Sequence, residues 1–201
     1  MSTAQRGLLF DLFGVIMNEQ DDAGRASIEK ASGLSGDDLW PYYEQFREDY
    51  DAGRLDSVSY WEAISKASGH TITDVQACID ADLQSWSGYD AEMADYVHSL
   101  IGRVPVGLIS NAVAEEPAYI HSLFDWFSDL DPLIFSCEVG MAKPHADIYA
   151  LAIERIGLEP SNILFIDDRE VNIEGARSVG LNVHLFRGIE GLREEIERFL
   201  S

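Results

Sequence analysis

Three carboxylates, a hydroxyl and an amine fall where an α/β protein would gather them. Asp11 ends the apolar run Gly7-Leu8-Leu9-Phe10, and the pair Asp167-Asp168 ends Ile163-Leu164-Phe165-Ile166. Ser110-Asn111 follows Val104–Ile109, and Lys143 lies in Met141-Ala142-Lys143-Pro144, just ahead of a helical stretch. These residue types suit phosphoryl transfer through an aspartate. That chemistry needs a carboxylate nucleophile held at a strand end. It needs a hard cation between nucleophile and phosphate, and Mg2+ takes oxygen ligands. It also needs a fixed donor and a positive charge on the phosphoryl oxygens. Asp11 fits the nucleophile, Asp167 and Asp168 the further Mg2+ ligands, Ser110 the donor and Lys143 the charge. Taken singly, each has a plainer role: Asp11 a cap, Ser110-Asn111 a turn, Lys143 a solvated lysine. Their convergence carries the reading.

The elements that must position them are legible as short apolar runs. Leu133-Ile134-Phe135 and Val183–Phe186 join the three runs above. Continuous runs of this length read as strands buried on both faces, as in a parallel sheet. Helical spacing joins Ile148, Leu151, Ala152 and Ile156, then Val171, Ile173, Ala176 and Val179 before Gly180, and Ile189–Leu200 forms a closing amphipathic helix. The alternation predicts an α/β fold with a doubly wound parallel sheet, whose ligands bind at the carboxyl ends of the strands.

Residues 21–88 break the alternation and carry helical signals only. Trp40, Tyr43, Phe46 and Tyr50 recur at helical spacing, as do Val58, Trp61, Ile64 and Ala67, with breaks at Gly33–Gly36, Gly53 and Gly69. Three or four helices are expected here, inserted after the first strand. The expected organisation is a core of residues 1–14 and 89–201 around an inserted helical bundle of residues 15–88.

The chain of 201 residues carries 14 Lys+Arg against 36 Asp+Glu, a net charge of -22. This balance argues against nucleic-acid and anionic-membrane partners, which are held by Lys and Arg. A hydrophobic share of 46% excludes wholesale disorder. Cys78 and Cys137 form no CxxC pair and read as reduced thiols. Met1 to Gly7 shows no secretory signal, and no apolar run approaches a membrane span. A cytoplasmic monomer or homodimer is expected. His70, His98, His121, His145 and His184 are scattered, which argues against a histidine metal site.

The chain resembles the haloacid dehalogenase-like (HAD) hydrolase superfamily, in its helical-cap branch. The matching pieces are Phe10-Asp11-Leu12-Phe13-Gly14-Val15, Leu108-Ile109-Ser110-Asn111, Glu138–Pro144 with Ile148-Tyr149, and Ile166–Ala176. The resemblance implies a Rossmann-like core, a cap between the first two motifs, a covalent aspartyl intermediate and, for most members, Mg2+-dependent phosphatase activity. It implies a small-molecule phosphate ester, such as a sugar phosphate, as the partner. Asp11 would attack phosphorus and ligate Mg2+, with the Phe13 backbone carbonyl, Asp168 and Asp167. Ser110 and Asn111 would hold the phosphoryl group, together with the Leu12 and Phe13 amides, and Lys143 would neutralise the intermediate. Asn172 would brace the last motif.

Phe13 departs from the pattern. Phosphatases of this family usually carry a second Asp there, which protonates the leaving group and then activates water. Phe13 leaves three readings: another group does the proton work, the enzyme is a 2-haloacid dehalogenase, or it is a weak or silent binding protein. The intact Asp167-Asp168 pair favours the Mg2+ phosphatase, since dehalogenases of this family work without metal. His145 is one candidate proton carrier. Arg25, Arg47, Arg54 and Lys66 are the cations of the insertion available to a substrate anion. Trp40 or Trp61, where exposed, would suit a partner chain, although packing in the bundle core is the expected role of both.

Overall fold

The computed structural model describes residues 5–201. Five parallel strands, β1 (Gly7–Phe10), β2 (Val106–Ser110), β3 (Leu133–Phe135), β4 (Ile163–Asp167) and β5 (Asn182–Leu185), lie in the order β3-β2-β1-β4-β5. Strand side chains alternate between faces. Leu8, Phe10, Leu108, Leu164 and Ile166 join one apolar cluster with α5 (Ala91–Leu100), α6 (Glu116–Leu123) and α10 (Ile189–Leu200). Leu9, Ile109, Ile134 and Phe165 join a second cluster on the opposite face, with α8 (Ala146–Ile156) and α9 (Glu170–Ser178). Gly107 in β2 has no room for a side chain. A Cβ there would lie 2.6 Å from Pro132 Cδ and 2.8 Å from Leu9 Cδ2.

The sheet order places β1 beside both β2 and β4, so the carboxyl ends that carry Asp11, Ser110 and Asp167 are neighbours. This is the crevice at which an open α/β sheet binds ligands.

Between β1 and α5 stand four helices: α1 (Asp22–Ser32), α2 (Trp40–Asp51), α3 (Ser57–Ser68) and α4 (Val75–Ser85). They share a third apolar cluster, built around Tyr43, Tyr50, Tyr60, Trp61 and Ile64. Asp21, Asp56, Asp74 and Asp90 accept backbone N–H bonds at the starts of α1, α3, α4 and α5. Part of the acidity is therefore helix capping rather than plain surface charge. The two connections run side by side, with Asn18 N–H donating to Gly88 O at 2.9 Å and Asp90 N–H to Ile16 O at 3.0 Å. Val15, Ile16 and Met17 pack with the sheet-side cluster.

The insertion is also fastened at its far side, beside the short helix α7 (Ser136–Val139). The buried Ser136 hydroxyl donates to Asp51 O at 2.5 Å and accepts from Ala112 N–H at 2.9 Å. Val113 from the loop after β2 is fully buried in the insertion's own cluster.

Two local expectations are corrected. Val58 and Val171 sit on half-exposed helix faces. Tyr60 and Asn172, outside the expected stripes, are buried on these helices instead. Trp61 is wholly buried among Tyr43, Tyr60 and Ile64, so it offers nothing to a partner chain. Helices α5 and α6 fall outside the elements read from the sequence. No helix of the described residues is long and apolar enough to cross a membrane.

Candidate active site

Asp11 and Asp167 end the adjacent strands β1 and β4, and Lys143 reaches between them. Its Nζ lies 2.5 Å from Asp11 Oδ1 and 2.8 Å from Asp167 Oδ2, with all three side chains nearly sealed from water. The reach of Lys143 is fixed from two sides. Asn111 clamps its backbone, accepting from Lys143 N–H at 2.8 Å and donating to its carbonyl at 3.0 Å. Gly175 of α9 lets the following loop close in, since a Cβ there would run into the Pro144 carbonyl and the Tyr149 ring.

Asp167 is oriented by α9. Asn172 donates from Nδ2 to both Asp167 oxygens at 3.0 Å, and Arg169 N–H donates to Oδ1 at 2.8 Å. Tyr149 in turn donates to the Asn172 carbonyl at 2.9 Å, while its ring packs edge-on against Phe165. Burial alone would raise the Asp167 carboxyl, but Lys143 and the hydrogen bonds from Asp11 and Arg169 hold it below the usual range. Asp11 goes the other way. Burial is the largest cause and the charge of Asp167 adds to it, so its carboxyl is raised well above the usual value against the pull of Lys143. A second cation beside Asp11 would remove that penalty and leave an ionised nucleophile.

Asp168 supplies the third carboxylate. One oxygen each from Asp11, Asp167 and Asp168 lies within 4.8 Å of the others. Opposite ligands of an octahedral Mg2+ at about 2.1 Å stand about 4.2 Å apart. Asp168 Oδ1 is buried and has no hydrogen-bond partner. Gly14, at φ +82°, makes space for this carboxylate, since a Cβ would sit 2.5 Å from Asp168 Oδ2. Burial first, then the neighbours Glu19 and Asp167, push the Asp168 carboxyl up to about 6. An orphaned carboxylate oxygen, three converging acids and a glycine cradle fit a hard divalent cation.

The phosphoryl-holding residues are arranged less uniformly. Asn111 lines the cavity above Asp11, of about 220 Å³, but Ser110 does not. Its hydroxyl donates to the Asn111 carbonyl at 3.2 Å. The Leu12 N–H, expected to face the transferring group, donates to Asp11 Oδ1 at 2.6 Å. Phe13 lines the cavity with its ring edge-on to Trp86, 5.4 Å between centroids.

The roof was beyond sequence reasoning. Glu44, Arg47 and Asp51 of α2, with Tyr43 and Trp86, face Asp11 across the cavity, and Glu19 and Arg169 stand at its sides. Arg47 is the one expected cation that arrives there. Its Nε donates to Asp51 Oδ1 at 2.7 Å, and its NH1 donates to the Tyr43 hydroxyl at 2.9 Å and lies 3.5 Å from Asp82 Oδ2. Arg25 lies over the Trp40 ring, Arg54 pairs with Asp49 and Glu48, and Lys66 is exposed. His145 is exposed and 3.3 Å from Glu48, outside the cavity lining, so it is no proton carrier for Asp11. Glu19 had one readable signal, its place eight residues after the nucleophile at the hinge into the insertion. Cys78 and Cys137 are free, and burial raises both thiols to about 11.

A five-stranded parallel sheet with an acid pair, a nucleophile-type carboxylate and a lysine at its carboxyl edge defines a Rossmann-like α/β hydrolase. The chain belongs to the haloacid dehalogenase-like hydrolase family, whose model matches residues 5–180. The D-ribitol-5-phosphate phosphatase of Bacteroides thetaiotaomicron is 24% identical, covering 98% of each chain. An (S)-2-haloacid dehalogenase of Pseudomonas fluorescens is 26% identical over 96% of this chain and 88% of its own. Bifunctional epoxide hydrolase 2 of Sus scrofa is 37% identical over 68 residues, and the match spans only 12% of its length. A HAD family enzyme of Bacteroides thetaiotaomicron superposes with a TM-score of 0.78 at 18% identity, covering 96% of this chain and 99% of that one. The same enzyme has been solved with magnesium and inorganic phosphate, at TM-score 0.71, 20% identity and coverage of 92% and 95%.

Proposed function

We propose that the chain is a Mg2+-dependent phosphatase of small phosphate monoesters, acting through an aspartyl-phosphate on Asp11. The observation that carries this is the convergence of Asp11, Asp167 and Asp168 with Lys143 inside hydrogen-bond reach of two of them. In this reading Asp11, Asp168, Asp167 and the Phe13 carbonyl hold Mg2+, which would neutralise charge as two anions meet. Asp11 attacks phosphorus as the ester P–O bond breaks, and the departing alkoxide takes a proton from water. A second water then hydrolyses the aspartyl-phosphate to free phosphate, while Lys143 stays beside the carboxylate to balance the intermediate. Ser110 and Asn111 hold phosphoryl oxygens, for which the Ser110 hydroxyl must turn from the Asn111 carbonyl. Asn172 and Arg169 N–H fix the orientation of Asp167.

The four-helix insertion acts as the cap, closing over residues 1–14 and 89–201, and it supplies the substrate's surroundings. Arg47 is committed to Asp51 and Asp82, and Glu44 and Glu19 add negative charge to the cavity. A second anionic group on the substrate would meet this field. An anionic leaving group is therefore disfavoured, and a hydroxyl-bearing one, a sugar or polyol, is adopted by analogy with the name of the Bacteroides phosphatase.

Phe13 favours a second reading, 2-haloacid hydrolysis, in which halide leaves without a proton. One panel separates the two. Wild-type protein with Mg2+ is expected to hydrolyse an aryl phosphate, Asp11→Asn to fall to background, and neither to release halide from a 2-haloacid. Halide release without phosphate release would replace the first reading by the second.

A further inference from the structure

A second cavity of about 250 Å³ lies between α4 and α6. It is distinct from the first but shares a wall with it, because Phe13 and Trp86 line both. Its other apolar lining comes from Met17, Leu83 and Ile120. Asp80, Gln84, Ser87, Glu115, Glu116 and Tyr119 make up its polar side, and Glu116 is the buried one among them. It is 4% exposed in the first turn of α6, where its Oε2 accepts from Val113 N–H at 2.9 Å. Its other oxygen, Oε1, is buried with no partner, and so is Oε2 of Glu115 beside it. A buried polar atom without a partner is uncommon and asks for a ligand or an ordered water.

We propose that this cavity is the subsite for the hydroxyl-bearing carbon chain of the leaving group, and that Glu116 selects it by hydrogen bonding a hydroxyl. The proposal rests on the phosphatase reading above and adds the place of the leaving group. Three features specify the chemistry. The volume lies just under the roughly 300–1,000 Å³ of drug-sized sites, which suits a chain of a few carbons. The indole of Trp86 with Leu83 and Ile120 offers a surface for the C–H face of a polyol. Burial, with Asp51 and Asp82 adding to it against Arg47 and the Val113 amide, pushes the Glu116 carboxyl up to about 8. A neutral acid both donates to and accepts from a hydroxyl. Phe13 then has a positive role. Where an acid would stand in other members, its ring and that of Trp86 form the partition along which the leaving group passes.

The test compares two esters with the 201-residue protein and Mg2+: a pentitol 5-phosphate, which carries the hydroxyl-bearing chain that the subsite would take, and ethyl phosphate, which lacks it. The readout is the ratio of their kcat/KM values. Glu116→Met and Leu83→Trp, which remove the hydrogen bond and fill the cavity, are each expected to lower this ratio at least about tenfold. Glu116→Gln, which keeps a neutral donor and acceptor, is expected to restore most of it. A ratio unchanged in both variants, or one that Gln fails to restore, overturns the subsite while leaving the phosphatase reading intact. If the wild type turns over neither ester, the phosphatase reading fails instead. Calorimetric titration with the free pentitol then decides the subsite: binding abolished by Leu83→Trp supports it, and no binding to the wild type overturns it.

Discussion

Replacing Lys143 by Met tests the electrostatics of the site without relying on turnover. The ammonium lies 2.5 Å from Asp11 and 2.8 Å from Asp167, with side-chain exposures of 1%, 6% and 0% for the three groups. Removing one member of a buried charged set leaves the others uncompensated, at a cost of about 3–5 kcal/mol. For a chain of this size each kcal/mol moves Tm by roughly 2–4 °C, so a fall of about 6–20 °C is expected at pH 7 in metal-free buffer. Mg2+ at a hundredfold excess over its Kd is expected to recover about 2.7 kcal/mol, since it binds the folded carboxylates and not the unfolded chain. The pH dependence has a definite sign. The folded Asp11 carboxyl is already raised by burial, and losing Lys143 raises it further. A raised group holds its proton in the folded state, so its contribution to stability is complete at low pH and lost as pH rises. The gap between variant and wild type therefore narrows as pH falls from 7 towards 5. Scanning calorimetry at both pH values, with and without Mg2+, measures all three effects. A Tm within about 3 °C of wild type at pH 7 without metal refutes the view that Lys143 neutralises this pair.

Three further outcomes follow from single contacts. Gly14→Ala places a Cβ 2.5 Å from Asp168 at a φ of +82°, and calorimetric titration should find Mg2+ affinity reduced at least about tenfold. Ser136→Ala removes the bond to Asp51 that fastens the insertion, and chemical denaturation should show a loss of about 1–3 kcal/mol. Glu116 is raised from 4.5 to about 8, so its contribution is complete below pH 4.5 and is lost as pH rises through 8. Glu116→Gln should accordingly flatten the decline in stability between pH 5 and 8, and an equal slope in both proteins would contradict a buried neutral acid.

The strands were legible because a parallel sheet covered on both faces needs uninterrupted apolar runs, and the chain spells these at Leu8–Phe10, Leu133–Phe135 and Ile163–Ile166. Helix α8 is bounded as read, at Ala146 and Ile156, and so is α10, at Ile189 and Leu200. Both have one strongly apolar stripe. Helix α6 was not legible. It is eight residues long, opens on Glu115-Glu116-Pro117 and buries one of those acids. Its Ile120 and Leu123 pack into the sheet-side cluster, a face that its own short pattern does not mark. Val58 and Val171 fail for the same reason. Spacing proposes a stripe, and the neighbouring elements choose which residues of the turn are covered.

The same division holds for the site. Asp11, Asp167 and Lys143 were readable because each lies within a residue or a short loop of a strand or helix end, where local sequence fixes the position of the chain. The double clamp of Asn111 on Lys143 and the orphaned oxygens of Asp168 and Glu116 depend on residues far apart in sequence. They exist only once the sheet order sets β1 between β2 and β4. The roof depends on tertiary structure still more. Arg47 lies 36 positions after Asp11 and reaches the cavity only because α2 is fastened through Asp51 to Ser136. The sequence by itself determined which atoms are available for chemistry at the sheet edge. The tertiary structure decided what stands above that edge, because the orientation of one packed unit on another is set by contacts that no local pattern encodes.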